Sequence, residues 1–160
     1  MVSQVREIQI QRRYYAEIAE KYTKCTLMKK MSTFFALSFM LAVLDYLGIQ
    51  SILDIGSGTG RAVGYVKEKR PDIFIVGVEP VRELREIGYS QGLSKNELID
   101  GEATQLKFDD GQFDLVSEFG ALHHIKNPGK QCLKCCGLLT RQYSFQILII
   151  LGKALGFLGR

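Results

Sequence analysis

Apolar and polar positions follow two different periods along this chain, and the change from one to the other marks its organisation. Tyr15, Ile18, Ala19 and Tyr22 recur at i, i+3, i+4 and i+7, the spacing of one helical face. Residues 32–46 fit a second helix, with Gly48 as its stop signal. From residue 51 the runs shorten. Ser51–Ile55 is a short apolar run ending at Asp54-Ile55-Gly56, as a buried strand ends in a glycine turn. Residues 61–70 read as a helix closed by Pro71, 73–78 as a second buried strand, and 81–89 as a further helix. Residues 97–100 make a weaker third strand, and 113–117 a fourth after the Asp109-Asp110-Gly111 turn. Strands alternating with helices imply right-handed crossovers and a parallel sheet covered on both faces. The predicted class is α/β, doubly wound.

Composition narrows the function classes. A chain of 160 residues with 46% apolar residues is one domain's worth of polypeptide, too apolar to be disordered. Lys and Arg number 21 against 17 Asp and Glu, a formal +4 with no basic stripe, which argues against a nucleic-acid partner. Residues 1–128 hold 16 basic and 17 acidic side chains, whereas 129–160 hold five basic ones and no acid. The first fifteen residues are polar and charged, unlike a signal peptide. The apolar run 33–44 stops at Asp45, short of the roughly 20 residues of a membrane span, and 145–158 contains Lys153 and two glycines. No membrane partner is expected. Cys25 stands alone while Cys132, Cys135 and Cys136 crowd together, with no spacing that matches a structural zinc site. The expectation is a cytoplasmic protein with reduced thiols and no metal.

The chemistry concentrates in Asp54-Ile55-Gly56-Ser57-Gly58-Thr59-Gly60, placed between a strand and a helix. Glycines there let the backbone turn sharply and let a ligand approach where a β-carbon would clash. Glu79 ends the next strand nineteen residues after Gly60, where a carboxylate can accept both hydroxyls of a ribose. The pair reads as a site for a nucleoside-containing ligand; the plainer reading is a tight turn before a packed helix. A dinucleotide fingerprint would place its third glycine at position 61, and Arg61 stands there, which counts against a nicotinamide-dependent oxidoreductase.

Three alternate glycines preceded by Asp54 resemble the first motif of class I S-adenosylmethionine-dependent methyltransferases. Further segments agree in order. Val78-Glu79-Pro80 is similar to that family's second-strand acid, and Asp100-Gly101-Glu102-Ala103 to its adenine-contacting segment. Phe113-Asp114-Leu115-Val116 through Ala121-Leu122-His123-His124-Ile125 resembles the fourth strand and following helix of the small-molecule branch. The resemblance covers roughly residues 14–128 and implies a Rossmann-like sheet in the order 3-2-1-4, preceded by N-terminal helices. It divides the chain into a helical cap (1–48), a cofactor-binding core (49–128) and an atypical tail (129–160).

The resemblance implies S-adenosyl-L-methionine as cofactor and assigns roles position by position. Asp54, with Gly56, Ser57, Gly58 and Gly60, would meet the cationic methionine end, and Glu79 beside Pro80 would take the ribose. Glu102, where the family usually has Asp, would reach the adenine amino group, with Gly101 and the Ala103 amide beside it. Ser117 and Glu118 would line the methionine side, and Tyr22 would cap the cofactor or else pack as a core tyrosine. His123 is the candidate general base, needed only if the acceptor must lose a proton; with His124 it otherwise shapes the pocket. The Asn/Asp-Pro-Pro-aromatic signature of enzymes acting on planar amino groups is absent, since Ser117-Glu118-Phe119-Gly120 occupies that place. A small-molecule acceptor is favoured.

Past Pro128 the resemblance stops, and the family's next helix and fifth strand are replaced by cysteines and an Ile147-Leu148-Ile149-Ile150 run. Reading residues 130–152 in a shifted codon frame turns Cys132, Cys135 and Cys136 apolar, makes Lys134 Lys, Glu or Gln, and permits Arg at Gly137. A helix followed by a buried strand then becomes available. Residues from about 129 are therefore expected to be an out-of-frame ending on a truncated methyltransferase, with an authentic divergent ending as the alternative. Either way the fourth strand would be left as an apolar edge. The leading function is methyl transfer to a small molecule, and the runner-up is a cofactor-binding module without turnover.

Overall fold

The computed structural model describes residues 2–23 and 27–119, with side chains at 6, 9–19 and 34–119. The elements run α1 (Val2–Thr23), α2 (Leu27–Leu47), β1 (Ser51–Ile55), α3 (Arg61–Lys69), β2 (Phe74–Glu79), α4 (Arg82–Ser90), β3 (Leu98–Asp100), a single 3-10 turn (Ala103–Gln105) and β4 (Leu115–Glu118). The sheet of the described residues has four strands in the order β3-β2-β1-β4. Every pairing is parallel, with Asp54 opposite Gly77 and Ser117, and Glu79 opposite Asp100. Class, parallel pairing and strand order are those expected from the sequence.

The period-2 alternation of the strands sorts their side chains onto two faces. Ile52, Ile75 and Leu115 point to one face and are buried with Ala62, Val63 and Val66 of α3 and Leu37, Met40 and Leu44 of α2. Leu53, Ile55, Val78 and Val116 point to the other and pack with Leu106 and Phe113. Phe108 meets Phe113 edge-on, ring centroids 5.1 Å apart. Each fully buried aliphatic or aromatic side chain contributes about 1.5–3 kcal/mol. A third cluster joins α1 to α4: Ala19, with Tyr15 and Ala16, sits on Val81, Leu84 and Ile87.

Boundaries differ from expectation by one or two residues in the core. The strand predicted at 73–78 is Phe74–Glu79, the one predicted at 113–117 is Leu115–Glu118, and the helix predicted at 81–89 is Arg82–Ser90 with Val81 as its N-cap. Ile73 and Phe113 are 4% and 0% exposed, but Ile73 lies before its strand and Phe113 makes only an isolated bridge ahead of β4. Hydropathy registers burial, whereas a strand begins where backbone groups pair. Asp114 supplies the reason at β4: its carboxylate Oδ2 accepts from the amides of Gln50 and Ser51, each at 3.0 Å, and so ties the approach to β4 to the start of β1. The larger differences lie in the helices. α1 reaches back to Val2 and α2 to Leu27, beyond the stretches that the spacing picked out.

Candidate cofactor-binding site

All four strands carry an acid at or next to their carboxyl ends: Asp54, Glu79, Asp100 and Glu118. Parallel pairing aligns these ends, so the acids gather on one edge, where open α/β sheets receive ligands. Asp54 is 2% exposed. Its Oδ1 accepts from Ser117 Oγ at 2.8 Å and its Oδ2 from Ser57 Oγ. Burial pushes its pKa up to about 6; the two serine hydroxyls oppose that shift, Glu79 adds to it, and Arg61 lowers it. Ser117 is fully buried, and Glu118, opposite Ile55, is 3% exposed.

Glu79 joins the glycine loop to the end of β2. Oε2 accepts from the Gly58 amide and Oε1 from the Val81 amide, both at 2.9 Å. The second bond spans Pro80, whose ring fixes φ in the turn. Burial raises the Glu79 pKa, offset by the Val81 and Gly58 amides and then by the nearby Arg85 and Arg12. Two amides leave capacity on a carboxylate that can accept about four hydrogen bonds. The amides of Gly56 and Ser57 both donate to Val78 O, at 2.9 and 3.1 Å, so the loop is folded back onto β2.

Two glycines in this loop have different reasons to be there. Gly60 has φ +73°, and a β-carbon on it would land inside the Leu93 side chain. Gly58 has φ +58°, and nothing lies within 4 Å of where its β-carbon would be. Both take a left-handed backbone that favours glycine; a β-carbon at Gly60 would in addition have to displace the Leu93 side chain, while at Gly58 it would meet nothing.

The next segment completes the edge. Gly101 follows β3, Glu102 precedes the 3-10 turn, and Ala103 opens it. Glu102 is engaged by Arg12 of α1, whose Nη2 lies 3.0 Å from Oε2. Arg85 of α4 donates to the Glu79 carbonyl at 2.6 Å and pairs with Asp100 at 2.8 Å. Sequence reasoning missed both arginines. Arg85 has a local signal in hindsight, six residues beyond Glu79 on the next helix, whereas Arg12 lies ninety residues from its partner and has none. The structure thus brings together Asp54, Gly56, Ser57, Gly58, Gly60, Glu79, Pro80, Gly101, Glu102, Ala103, Ser117 and Glu118 along one edge. The Tyr22 side chain and His123 lie outside the described residues, as do His124, the cysteine cluster and the tail from 129. Among the described residues no group of His, Cys, Asp and Glu is placed to hold a metal, and no helix is long and apolar enough to cross a membrane.

A family model described as a methyltransferase domain matches residues 53–142, which spans the glycine loop, all the acids above and a stretch beyond Pro128. A demethylmenaquinone methyltransferase of Thermotoga maritima is 27% identical over 141 residues, 87% of this chain and 61% of that one. The chain thus spans about six tenths of the length of this relative. Among solved structures, a Thermotoga maritima protein described as a SAM-dependent methyltransferase, possible histamine N-methyltransferase, aligns with a TM-score of 0.62 at 21% identity, covering 79% of this chain and 55% of the other. The plantazolicin methyltransferase in complex with a pentazolic desmethylPZN analog and SAH aligns at 0.60 and 17% identity, covering 85% and 56%. At these identities the likeness to solved structures is one of fold.

Proposed function

Because the chain belongs to the methyltransferase domain family, matched over residues 53–142, we propose that it binds S-adenosyl-L-methionine on the carboxyl edge of its sheet and transfers the methyl group to a small-molecule acceptor. The observation that carries this reading is the pair of buried carboxylates, Asp54 and Glu79, at the carboxyl ends of adjacent parallel strands, with Glu79 bonded to the amide of the unobstructed Gly58. Bound there, the cofactor supplies an electrophilic methyl on a sulfonium.

The chain's own residues bind and orient. Asp54, oriented by Ser57 and Ser117, offers negative charge to the cationic methionine end in a site of reduced dielectric. Glu79, already fixed by two amides, accepts the ribose hydroxyls without having to be ordered at the moment of binding. Gly58 permits the close approach, and Glu102 with Gly101 and Ala103 receives the adenine. Ser117 and Glu118 line the methionine side, Tyr22 covers the cofactor, and His123 serves as base where the acceptor loses a proton. Displacement at a sulfonium asks the protein chiefly to align nucleophile and methyl and to exclude water. A small-molecule acceptor accords with the absence of an Asn/Asp-Pro-Pro-aromatic sequence at the end of β4 and with the quinone-related substrate in the name of the Thermotoga maritima relative. We place the protein in the cytoplasm, where unpaired thiols stay reduced.

Calorimetric titration with S-adenosylhomocysteine and with NAD tests the site. The reading expects binding of the first and not the second, with binding abolished in Gly58→Val and in Glu79→Ala. Preference for NAD, or affinity unchanged in both variants, would sink it. Methyl release across candidate acceptors then separates turnover from binding alone.

A further inference from the structure

Arg12 is the charged side chain at this edge that no local motif accounts for. Its guanidinium Nη2 lies 3.0 Å from Glu102 Oε2, with the two side chains 42% and 32% exposed. A pair so open to water adds little to stability. Its position is nevertheless determined. Arg12, Tyr15, Ala16 and Ala19 fall at i, i+3, i+4 and i+7, and the last three are the residues that seat α1 on α4. Because only two residues separate the end of β2 from the start of α4, docking α1 on it carries Arg12 to the ends of β2 and β3. There it engages Glu102 while its charge also acts on Glu79, so it stands beside both acids assigned to the nucleoside.

We infer that Arg12 is a positioning residue for base recognition: by holding Glu102 Oε2 it presents Oε1 to the exocyclic amino group of the bound purine. This rests on the nucleoside reading above. A glutamate side chain has more rotamer freedom to lose than the shorter aspartate, and a planar guanidinium fixing one carboxylate oxygen removes much of that cost before the ligand arrives. An amino group at purine C6 donates to the remaining oxygen, whereas a carbonyl at C6 meets it lone pair to lone pair. Arg12 thereby sets a preference for adenine over hypoxanthine.

The test compares affinities for S-adenosylhomocysteine and S-inosylhomocysteine by calorimetry in the unaltered chain, Arg12→Ala, Arg12→Lys, Glu102→Gln and the Arg12→Ala/Glu102→Gln pair. The unaltered chain should prefer the adenine ligand roughly tenfold, the scale of one hydrogen bond to a charged group. Arg12→Ala should reduce that ratio to about twofold with little change in inosyl affinity. The double variant should be no worse than either single, because the two residues act as one unit. Arg12→Lys should recover part of the ratio while leaving the unfolding midpoint where it was. A ratio undiminished in Arg12→Ala, or an equal loss for both ligands, would overturn the inference while leaving the site intact. No binding of either ligand to the unaltered chain would overturn the nucleoside reading and this inference with it.

Discussion

The two halves of the candidate site are held by different means. At the ends of β1 and β4 the acid is satisfied from within the motif: Asp54 is bonded by Ser57, three residues away, and by Ser117, its register partner across the ladder. At the end of β2 Glu79 is likewise held close by, by the Gly58 and Val81 amides, but past β3 the acids depend on helices packed from outside, Arg85 of α4 on Asp100 and Arg12 of α1 on Glu102. Asp54 and Glu79 are buried, whereas Asp100 and Glu102 form a wetter half. The first pair is thus held by the strands and the loops that follow them, and the second gains its partners only once α4 and α1 have docked.

Substitutions should therefore divide sharply, beginning with the loop. Gly60→Ala combines a left-handed backbone with a collision on Leu93 and should lower stability by about 3 kcal/mol in chemical denaturation. Gly58→Ala, left-handed but unobstructed, should cost about 1 kcal/mol and act mainly on ligand affinity. Equal losses would erase the distinction between a packing glycine and an approach glycine.

Arg85→Ala comes next. It removes two charge-assisted bonds, to the Glu79 carbonyl and to Asp100, from a side chain only 12% exposed, and should cost about 2 kcal/mol.

Asp54 gives an effect of opposite sign. Its pKa rises from 3.8 to about 6 on folding, so the folded chain holds the proton more tightly than the unfolded chain does. Below pH 4 both states are protonated and there is no penalty. Between about 4 and 6 the unfolded chain ionises first and stability falls; above about 6 the penalty is complete. Asp54→Asn should therefore stabilise the protein at pH 7.5 by about 1–2 kcal/mol, after allowance for weakened serine bonds, and be neutral at pH 3.5. A destabilised variant at pH 7.5 would mean that Asp54 is a structural acid. The smallest effect belongs to the wet half, where Arg12→Ala should change stability by no more than about 0.5 kcal/mol.

What the sequence made legible follows the same division. Asp54, the glycine loop, Glu79 and Ser117 belong to contiguous runs whose hydropathy and spacing state their geometry, and they lie where those runs implied. Strand order followed from the resemblance, and parallel pairing from the alternation of strands and helices. The ladder starts were less legible, because Ile73 is as buried as a strand residue without pairing as one, and Phe113 makes only an isolated bridge ahead of β4. Arg12 was invisible: a polar helix stretch does not declare which of its charges will meet an acid ninety residues on. α1 itself was only partly legible: the spacing marked Tyr15 and Ala19, which seat it on α4, but not how far the helix reaches back.

The most direct test of the account is the affinity for S-adenosylhomocysteine measured from pH 5 to 8 in the unaltered chain and in Asp54→Asn. If Asp54 receives the cationic end of the ligand, binding must first ionise it below its raised pKa, so affinity should climb toward pH 6, by up to tenfold per unit, and level off above it. The Asn variant should bind more weakly and show no such climb. A profile equally flat in both proteins, or no binding in either, would contradict the account.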